Sequence, residues 1–277
     1  MRSLLFAPAT KPELVAKLAG RGADAVVFDL EDAVPPTAKA EARALARTGA
    51  ETLLGADGPE VWIRVNAVPT PWFVDDIAEA LPPGLTGVVV PKIETRAQVA
   101  EAIDALAGAG RSDIGFMAGI ETAAGVVGAD HLLAAPVTHA YFGAEDYIGD
   151  LGGIRTDHST EVLYARSRVA LAARVGGIHV LDQVVTDLGN HDAFLADAAT
   201  GRSLGYRGKL CIHPAQVDLT HQAFTPSAEQ VARARELLAA YEQAAEHGQA
   251  AIDFDGQMVD EPLARQARDI VARSEET

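Results

Sequence analysis

The side chains in this sequence that could do chemistry stand at one recurring place, directly after short apolar runs. "DAVVFDLEDAV" carries Asp29, Glu31 and Asp32; "VWIRVN" ends on Arg64 and Asn66; "TGVVVPK" ends on Lys92; "GFMAGIE" ends on Glu121; "HAYFGAED" ends on Glu145 and Asp146. Asp182 and His213 sit on two later runs. Carboxylates gathered in one place raise each other's pKa unless a cation or an arginine offsets them. A ligand set of oxygens alone, with no His-x-x-x-His and no cysteine pair, suits Mg²⁺ better than zinc, and Mg²⁺ takes one or two carboxylates plus water and substrate oxygens. Glu121 and Asp146 therefore read as a metal site with positions left open for substrate. Each residue alone also has a structural use: Glu121 or Asp32 could cap a helix, and Arg64 could pair with a nearby acid. Several strand ends carrying acids, together with one arginine, favour chemistry.

The elements that must hold these residues alternate. "SLLFAPA", "DAVVFDL", "VWIRVN", "TGVVVPK", "DIGFMAGIE", "VTHAYFGAED", "GIHVLDQVV" and "GKLCIHP" are eight strand candidates. Between them lie Ala-rich stretches read as helices from Pro12 and near 37–54, 72–80, 95–107, 122–134, 159–175 and 191–204. Apolar runs without clean alternation suit strands covered on both faces, and eight βα repeats close most economically into a TIM (β/α)₈ barrel. A doubly wound sheet is the alternative, but "FAPATKPEL" offers no glycine-rich phosphate loop after the first strand. In the barrel, active sites lie where the strands end and the βα loops begin, which accounts for the placement of the acids. The barrel is expected over residues 1–225. From Pro226 and Ser227 a long helix opens, Asp255-Gly256 signals a hairpin and Asp260 a helix start, so 226–277 reads as a C-terminal helical lid or arm.

Composition narrows the partners. The 277 residues carry 39 acidic and 23 basic side chains, a formal charge of −16, which opposes nucleic acid and anionic membrane as general partners. An anionic ligand needs a local basic lip, for which Lys11, Lys17, Arg207 and Lys209 are the candidates. The single Cys211 excludes an internal disulfide and reads as a small buried residue. "SLLFAPA" after Arg2 imitates a targeting signal, yet Pro8 interrupts it and a first strand is the better reading. No uninterrupted apolar run reaches about 18 residues, and a cytoplasmic location is expected.

In order and over nearly the whole chain, "RSLLFAPA", "GADAVVFDLEDAV", "WIRVN", "VVPKIET", "GIETAAG", "YFGAEDY", "GKLCIHPAQV" and "FDGQMVDEP" resemble the citrate lyase β-subunit-like (CitE-like) branch of the HpcH/HpaI aldolase superfamily, which includes malyl-CoA and citramalyl-CoA lyases. The resemblance implies a TIM barrel, a homotrimer or a dimer of trimers, and Mg²⁺ (or Mn²⁺) held by Glu121 and Asp146. It implies that Arg64 steadies the enolate or carbonyl oxygen, that Glu31 and Asp32 hold metal-bound waters, and that Asp260 is the acid/base group, brought by the lid over a neighbouring subunit's site. "FAPAT" departs from the family's commoner "FVPG" start and puts the local coenzyme contacts, Lys11 among them, in doubt.

That chemistry would be a magnesium-dependent carbon–carbon lyase acting on a 3-hydroxyacyl-CoA, with coenzyme A as part of the substrate and a 2-oxo acid as product. Backbone N–H groups of Gly143, Ala144 and Glu145 are placed to receive the far carboxylate of the oxo acid. "CIHPAQ" reads as a turn more than as a catalytic His213. Three other readings stay open: a citrate lyase β subunit working on an acyl-carrier-protein thioester, a malyl-CoA thioesterase using the same site, and a non-catalytic relative that binds CoA or keto acid.

Overall fold

The eight apolar runs are strands, and the last pairs with the first. The computed structural model describes residues 1–11, 17–54 and 58–275; the start of the helix expected from Pro12 lies outside the described residues. Strands β1 (Ser3–Pro8), β2 (Ala25–Asp29), β3 (Glu60–Arg64), β4 (Gly87–Val90), β5 (Gly115–Ile120), β6 (His139–Phe142), β7 (His179–Asp182) and β8 (Gly208–Cys211) form a closed parallel barrel in sequence order. Among the described residues, the α-helices between and after them with both ends described include α1 (Lys39–Leu53), α2 (Phe73–Ala80), α3 (Arg96–Gly108), α4 (Ala123–Leu132), α5 (Ala144–Leu151), α6 (Leu163–Gly176), α7 (His191–Leu204) and α8 (Ala215–Phe224). Helices cover the outer face while side chains fill the interior, so a strand such as β4, Gly-Val-Val-Val, is buried at every residue.

Strand alternation decides what reaches the mouth. Leu4, Ala25, Val27, Trp62, Val89, Met117, Tyr141, Leu181 and Leu210 make one packed cluster inside the barrel. Because side chains repeat every second residue, the same inward rows continue from Val27 to Asp29, from Trp62 to Arg64 and from Met117 through Gly119 to Glu121. Asp29 and Arg64 are register partners on adjacent strands. Three polar residues thus enter one space because each strand is phased by an apolar anchor below.

The same phase corrects two expectations. Asp182 and Lys209 stand one residue off the inward positions Leu181 and Leu210, and both are fully buried. Lys209 Nζ lies 3.1 Å from Asp182; Arg166 of α6 donates to Asp182 (Nε, 2.8 Å) and to Asp197 of α7 (Nη1, 3.0 Å). This is a paired ionic network between strands and outer helices, where buried charges are tolerated only when paired. Asp182 is not a mouth residue, and Lys209 cannot serve a coenzyme lip. Cys211 is buried as expected.

Helix starts settle the capping alternative for Glu121. Thr122 Oγ1 accepts the Gly125 N–H at 3.1 Å and caps α4, helped by Asp150, which accepts the Ala123 N–H at 2.8 Å. Glu121 is left free to face the barrel. After β6 the structure also departs from the expected strand "VTHAYFGAED": β6 ends at Phe142 and α5 begins at Ala144.

The chain divides into two compact units, Met1–His221 and Gln222–Thr277. In the second, Ser227 and Gln230 form a reciprocal capping box at the start of α9 (Ala228–Glu246). Strands β9 (Ile252–Phe254) and β10 (Gln257–Val259) make the antiparallel hairpin, with Asp255 and Gly256 at positive φ as a two-residue turn of this kind requires. Helix α10 (Glu261–Glu275) follows, and Tyr241, Val259 and Ala264 form the unit's own small core. Among the described residues no helix is long and apolar enough to cross a membrane.

Candidate active site

Arg64, at the end of β3, is gripped from below. Its Nε and Nη2 donate to the two carboxylate oxygens of Asp29 at 2.8 and 2.7 Å, and its Nη1 lies 3.0 Å from Glu31 Oε2. The guanidinium also lies over the Phe6 ring, 4.9 Å from its centroid. Burial disfavours the Asp29 anion, but Arg64 and the N–H groups of Glu31 and Ala33 outweigh it and hold the carboxyl below its usual range. The bidentate pair fixes the guanidinium plane, so the positive charge keeps one place at the barrel mouth.

Glu121 follows β5 directly and is 1% exposed. Tyr141 Oη donates to it, 3.0 Å from each carboxylate oxygen, and the Lys92 backbone N–H donates to Oε1 at 2.9 Å. Two glycines clear the space. A Cβ on Gly119 would lie 2.5 Å from Tyr141 Oη, and one on Gly143 would collide with Glu121 Oε2. Burial, with Glu31 and Asp146 adding to it, pushes the Glu121 pKa up to about 8 against the pull of Arg64 and Lys92. Burial and the Glu121 charge likewise raise the Tyr141 phenol well above its ordinary value, which keeps it a donor.

Asp146 lies in the first turn of α5 and Asp32 in the loop after β2. Lys92 Nζ reaches among the acids, 2.6 Å from Glu31 Oε1, 3.3 Å from Asp146 Oδ1 and 3.6 Å from Asp32 Oδ2. Both Glu31 oxygens therefore face cations, and burial raises its pKa despite Arg64 and Lys92. A cavity of about 170 Å³ is lined by Arg64, Glu121, Asp146 and Asp32, with Phe6 and Leu210 among its apolar walls. A second, of about 540 Å³, lies against Lys92, Asp32, Glu121 and Asp146.

The remaining expected residues divide. Gly143, Ala144 and Glu145 line the smaller cavity, but the Gly143 N–H already donates to Ile120 O at 3.1 Å in the barrel ladder. That corrects its role as an anion donor, which leaves the first-turn N–H groups of Ala144 and Glu145, for which an α-helix has no internal acceptor. The Glu145 carboxylate is turned away to Arg155, 2.9 Å distant. Lys11 is exposed just after β1. His213 is exposed, and its Nδ1 accepts the Ala215 N–H, a turn contact. Asp260 lies in the second unit, half-buried ahead of α10, its carbonyl accepting from Leu263 and Ala264. Sequence reading gave Asp29, Tyr141 and Lys92 no specific part here; only the alternation of Val27 with Asp29 carries a signal for the first.

The donor set fits a divalent ion. Five carboxylates, those of Asp29, Glu31, Asp32, Glu121 and Asp146, cluster at the mouth, and the cations paired with four of them are Arg64, at Asp29 and Glu31, and Lys92, at Glu31, Asp32 and Asp146. Among the described residues no group of three or more His, Cys, Asp or Glu side chains converges on one metal position. Glu121 and Asp146 could supply two oxygens and leave the rest to water and substrate, the habit of Mg²⁺.

Comparison with known proteins gives the family. Residues 2–214 match the family model described as HpcH/HpaI aldolase/citrate lyase. The chain is 51% identical to a citrate lyase subunit beta-like protein of Deinococcus radiodurans, over 98% of this chain and 96% of that one. It is 32% identical to a (3S)-malyl-CoA thioesterase of Cereibacter sphaeroides, over 99% and 94%. The crystal structure of CitE from Mycobacterium tuberculosis in complex with magnesium, acetoacetate and coenzyme A superposes with a TM-score of 0.83 at 35% identity, covering 99% of this chain and 98% of that one. The chain, a closed eight-stranded barrel with C-terminal helices, belongs to the HpcH/HpaI aldolase/citrate lyase family.

Proposed function

We propose that the protein is a divalent-cation-dependent carbon–carbon lyase that cleaves, or forms, a 3-hydroxyacyl-CoA such as citramalyl-CoA or malyl-CoA, yielding acetyl-CoA and a 2-oxo acid. The observation that carries the reading is that one cavity is lined at once by a fixed guanidinium, Arg64, and by two carboxylates with room beside them, Glu121 and Asp146. Mg²⁺, or Mn²⁺ in its place, held by Glu121 and Asp146 would supply Lewis-acid polarisation and a template for the oxo acid's oxygens. Similarity to a CitE crystallised with magnesium, a keto acid and coenzyme A supports this.

The chain's own residues do the rest. Arg64, immobilised by Asp29 and Glu31, presents positive charge where the thioester oxygen turns negative as the carbon–carbon bond breaks. Ala144 and Glu145 offer N–H groups to the far carboxylate of the oxo acid, and Gly143 allows it close approach. With both Glu31 oxygens turned to Arg64 and Lys92, the more exposed Asp32, 3.6 Å from Lys92 Nζ, is the acid better placed to order water at the mouth. Asp260 is the acid/base group: in cleavage it returns a proton to the acetyl carbon, and in condensation it removes one. It would be brought by the C-terminal segment, residues 226–277, of a neighbouring copy in a homotrimer or hexamer. Lys11 would meet the coenzyme.

A second reading, thioester hydrolysis, is favoured by the similarity to a malyl-CoA thioesterase. Product analysis separates the two. Citramalyl-CoA and malyl-CoA are incubated with Mg²⁺ and with EDTA. The expected result is acetyl-CoA with pyruvate or glyoxylate, abolished by EDTA. Free CoA with the intact hydroxy acid makes the protein a thioesterase, and no turnover of any thioester contradicts both readings.

A further inference from the structure

Lys92 has a side chain in the acidic pocket and an unusual backbone. It follows Pro91 at the end of β4 with φ of 53°, in the left-handed region that non-glycine residues seldom adopt. Such conformations persist where the surroundings hold them, and here two contacts do. The backbone N–H donates to Glu121, while Nζ turns to Glu31, Asp32 and Asp146, side chains carried by the β2 loop and by α5. One residue thus touches both acids assigned to the metal, one through its main chain and the other through its ammonium.

We infer that Lys92 is a built-in counter-ion for the metal position, holding the acids together before a divalent ion arrives and opposing that ion once it is there. The inference rests on the assignment of the ion to Glu121 and Asp146. The ammonium sits 3.3 Å from Oδ1 of Asp146, one of the two acids assigned to the ion, so the two cations would compete for one carboxylate. Lys92 is 30% exposed at its side chain and lines the cavity of about 540 Å³, which gives the ammonium somewhere to withdraw. Asp146 can then pass from Lys92 to the ion while Arg64 keeps Glu31 in place. Lys92 in this way makes the ion exchangeable: a like charge beside the site weakens affinity, whereas a merely scaffolding lysine would strengthen it by positioning Asp146.

The sign of the change on removing the ammonium decides. Mg²⁺ is titrated calorimetrically into the wild type, Lys92→Met, Lys92→Gln and Glu121→Gln, all of them also melted without metal. Both Lys92 variants keep the backbone N–H that reaches Glu121. They are expected to bind Mg²⁺ about tenfold tighter or more, the order of effect of one unit charge beside a divalent ion even in water. They are expected to melt lower than the wild type in these metal-free melts. Equal or weaker Mg²⁺ affinity in both Lys92 variants overturns the inference and leaves the metal assignment standing. Identical affinity in the wild type and Glu121→Gln overturns the metal assignment itself, and the role of Lys92 with it.

Discussion

At the scale of the residue, Arg64 is bound on two sides by acids and is useful on the third. Its Asp29 partner is 4% exposed at the side chain, so removing the guanidinium strands a buried carboxylate, a loss of about 3–5 kcal/mol in comparable pairs. Arg64→Ala is therefore expected to lower both the melting temperature and kcat, the latter by about 10²–10³-fold, as for other preorganised contacts to a developing oxyanion. Arg64→Lys keeps the charge without the bidentate geometry and should recover stability more than rate. Parallel melts and kinetics check this; a rate close to wild type in the alanine variant would remove Arg64 from the chemistry. Asp260 differs because it lies in the C-terminal unit with its own core. Asp260→Asn is expected to leave the melting curve and Mg²⁺ binding as they are and to reduce turnover by about 10²–10⁴-fold. Unchanged turnover would make Asp260 a helix-start residue and no more.

At the scale of the element, the β6–α5 junction sets the position of Glu121. A Cβ at residue 143 meets the Glu121 carboxylate, so Gly143→Ala is expected to weaken Mg²⁺ binding and cut the rate while circular dichroism shows the barrel intact. Misplacements of about 1 Å are enough for ~100-fold losses in rate. Wild-type Mg²⁺ affinity in that variant would mean that Glu121 is not held by the junction. This junction was also the least legible part of the sequence. The eight strands could be read because Val, Ile and Phe runs alternate with Ala-rich stretches. Helix α5 could not, because its first turn, Ala-Glu-Asp, is polar and its eight residues are too few to show a period. The acids at the mouth were legible as a set, but strand phase was not. Asp29 and Asp182 look alike at strand ends, and only the packed positions of Val27 and Leu181 show that one points inward and the other out to Arg166. Lys209 is misleading for the same reason, and Lys92, legible as a polar residue at a strand end, carries no local signal of its positive φ.

At the scale of the whole molecule, the chain carries a formal charge of −16, and the acids at the barrel mouth are part of that excess. A separate pH-sensitive feature lies away from the site, around the amino terminus. Burial, then the nearby terminal amine, pushes His139 and His179 down to about 4, and His179 Nε2 lies 2.7 Å from Met1 O. Both imidazoles are neutral in the fold yet take up protons near pH 6.5 once unfolded, so the unfolded chain binds more protons across that interval. Stability is therefore full above about pH 6.5 and is lost as pH falls from there towards 4. Melting temperatures measured across this range should fall, and the double variant His139→Gln with His179→Gln should show a shallower fall. An identical slope would place the acid sensitivity elsewhere. Anomalous diffraction from crystals soaked in Mn²⁺ tests the central claim most directly. The account expects one ion per chain, coordinated by carboxylate oxygens of Glu121 and Asp146 at the mouth beside Arg64. Manganese bound elsewhere, with those two side chains uncoordinated, would contradict it.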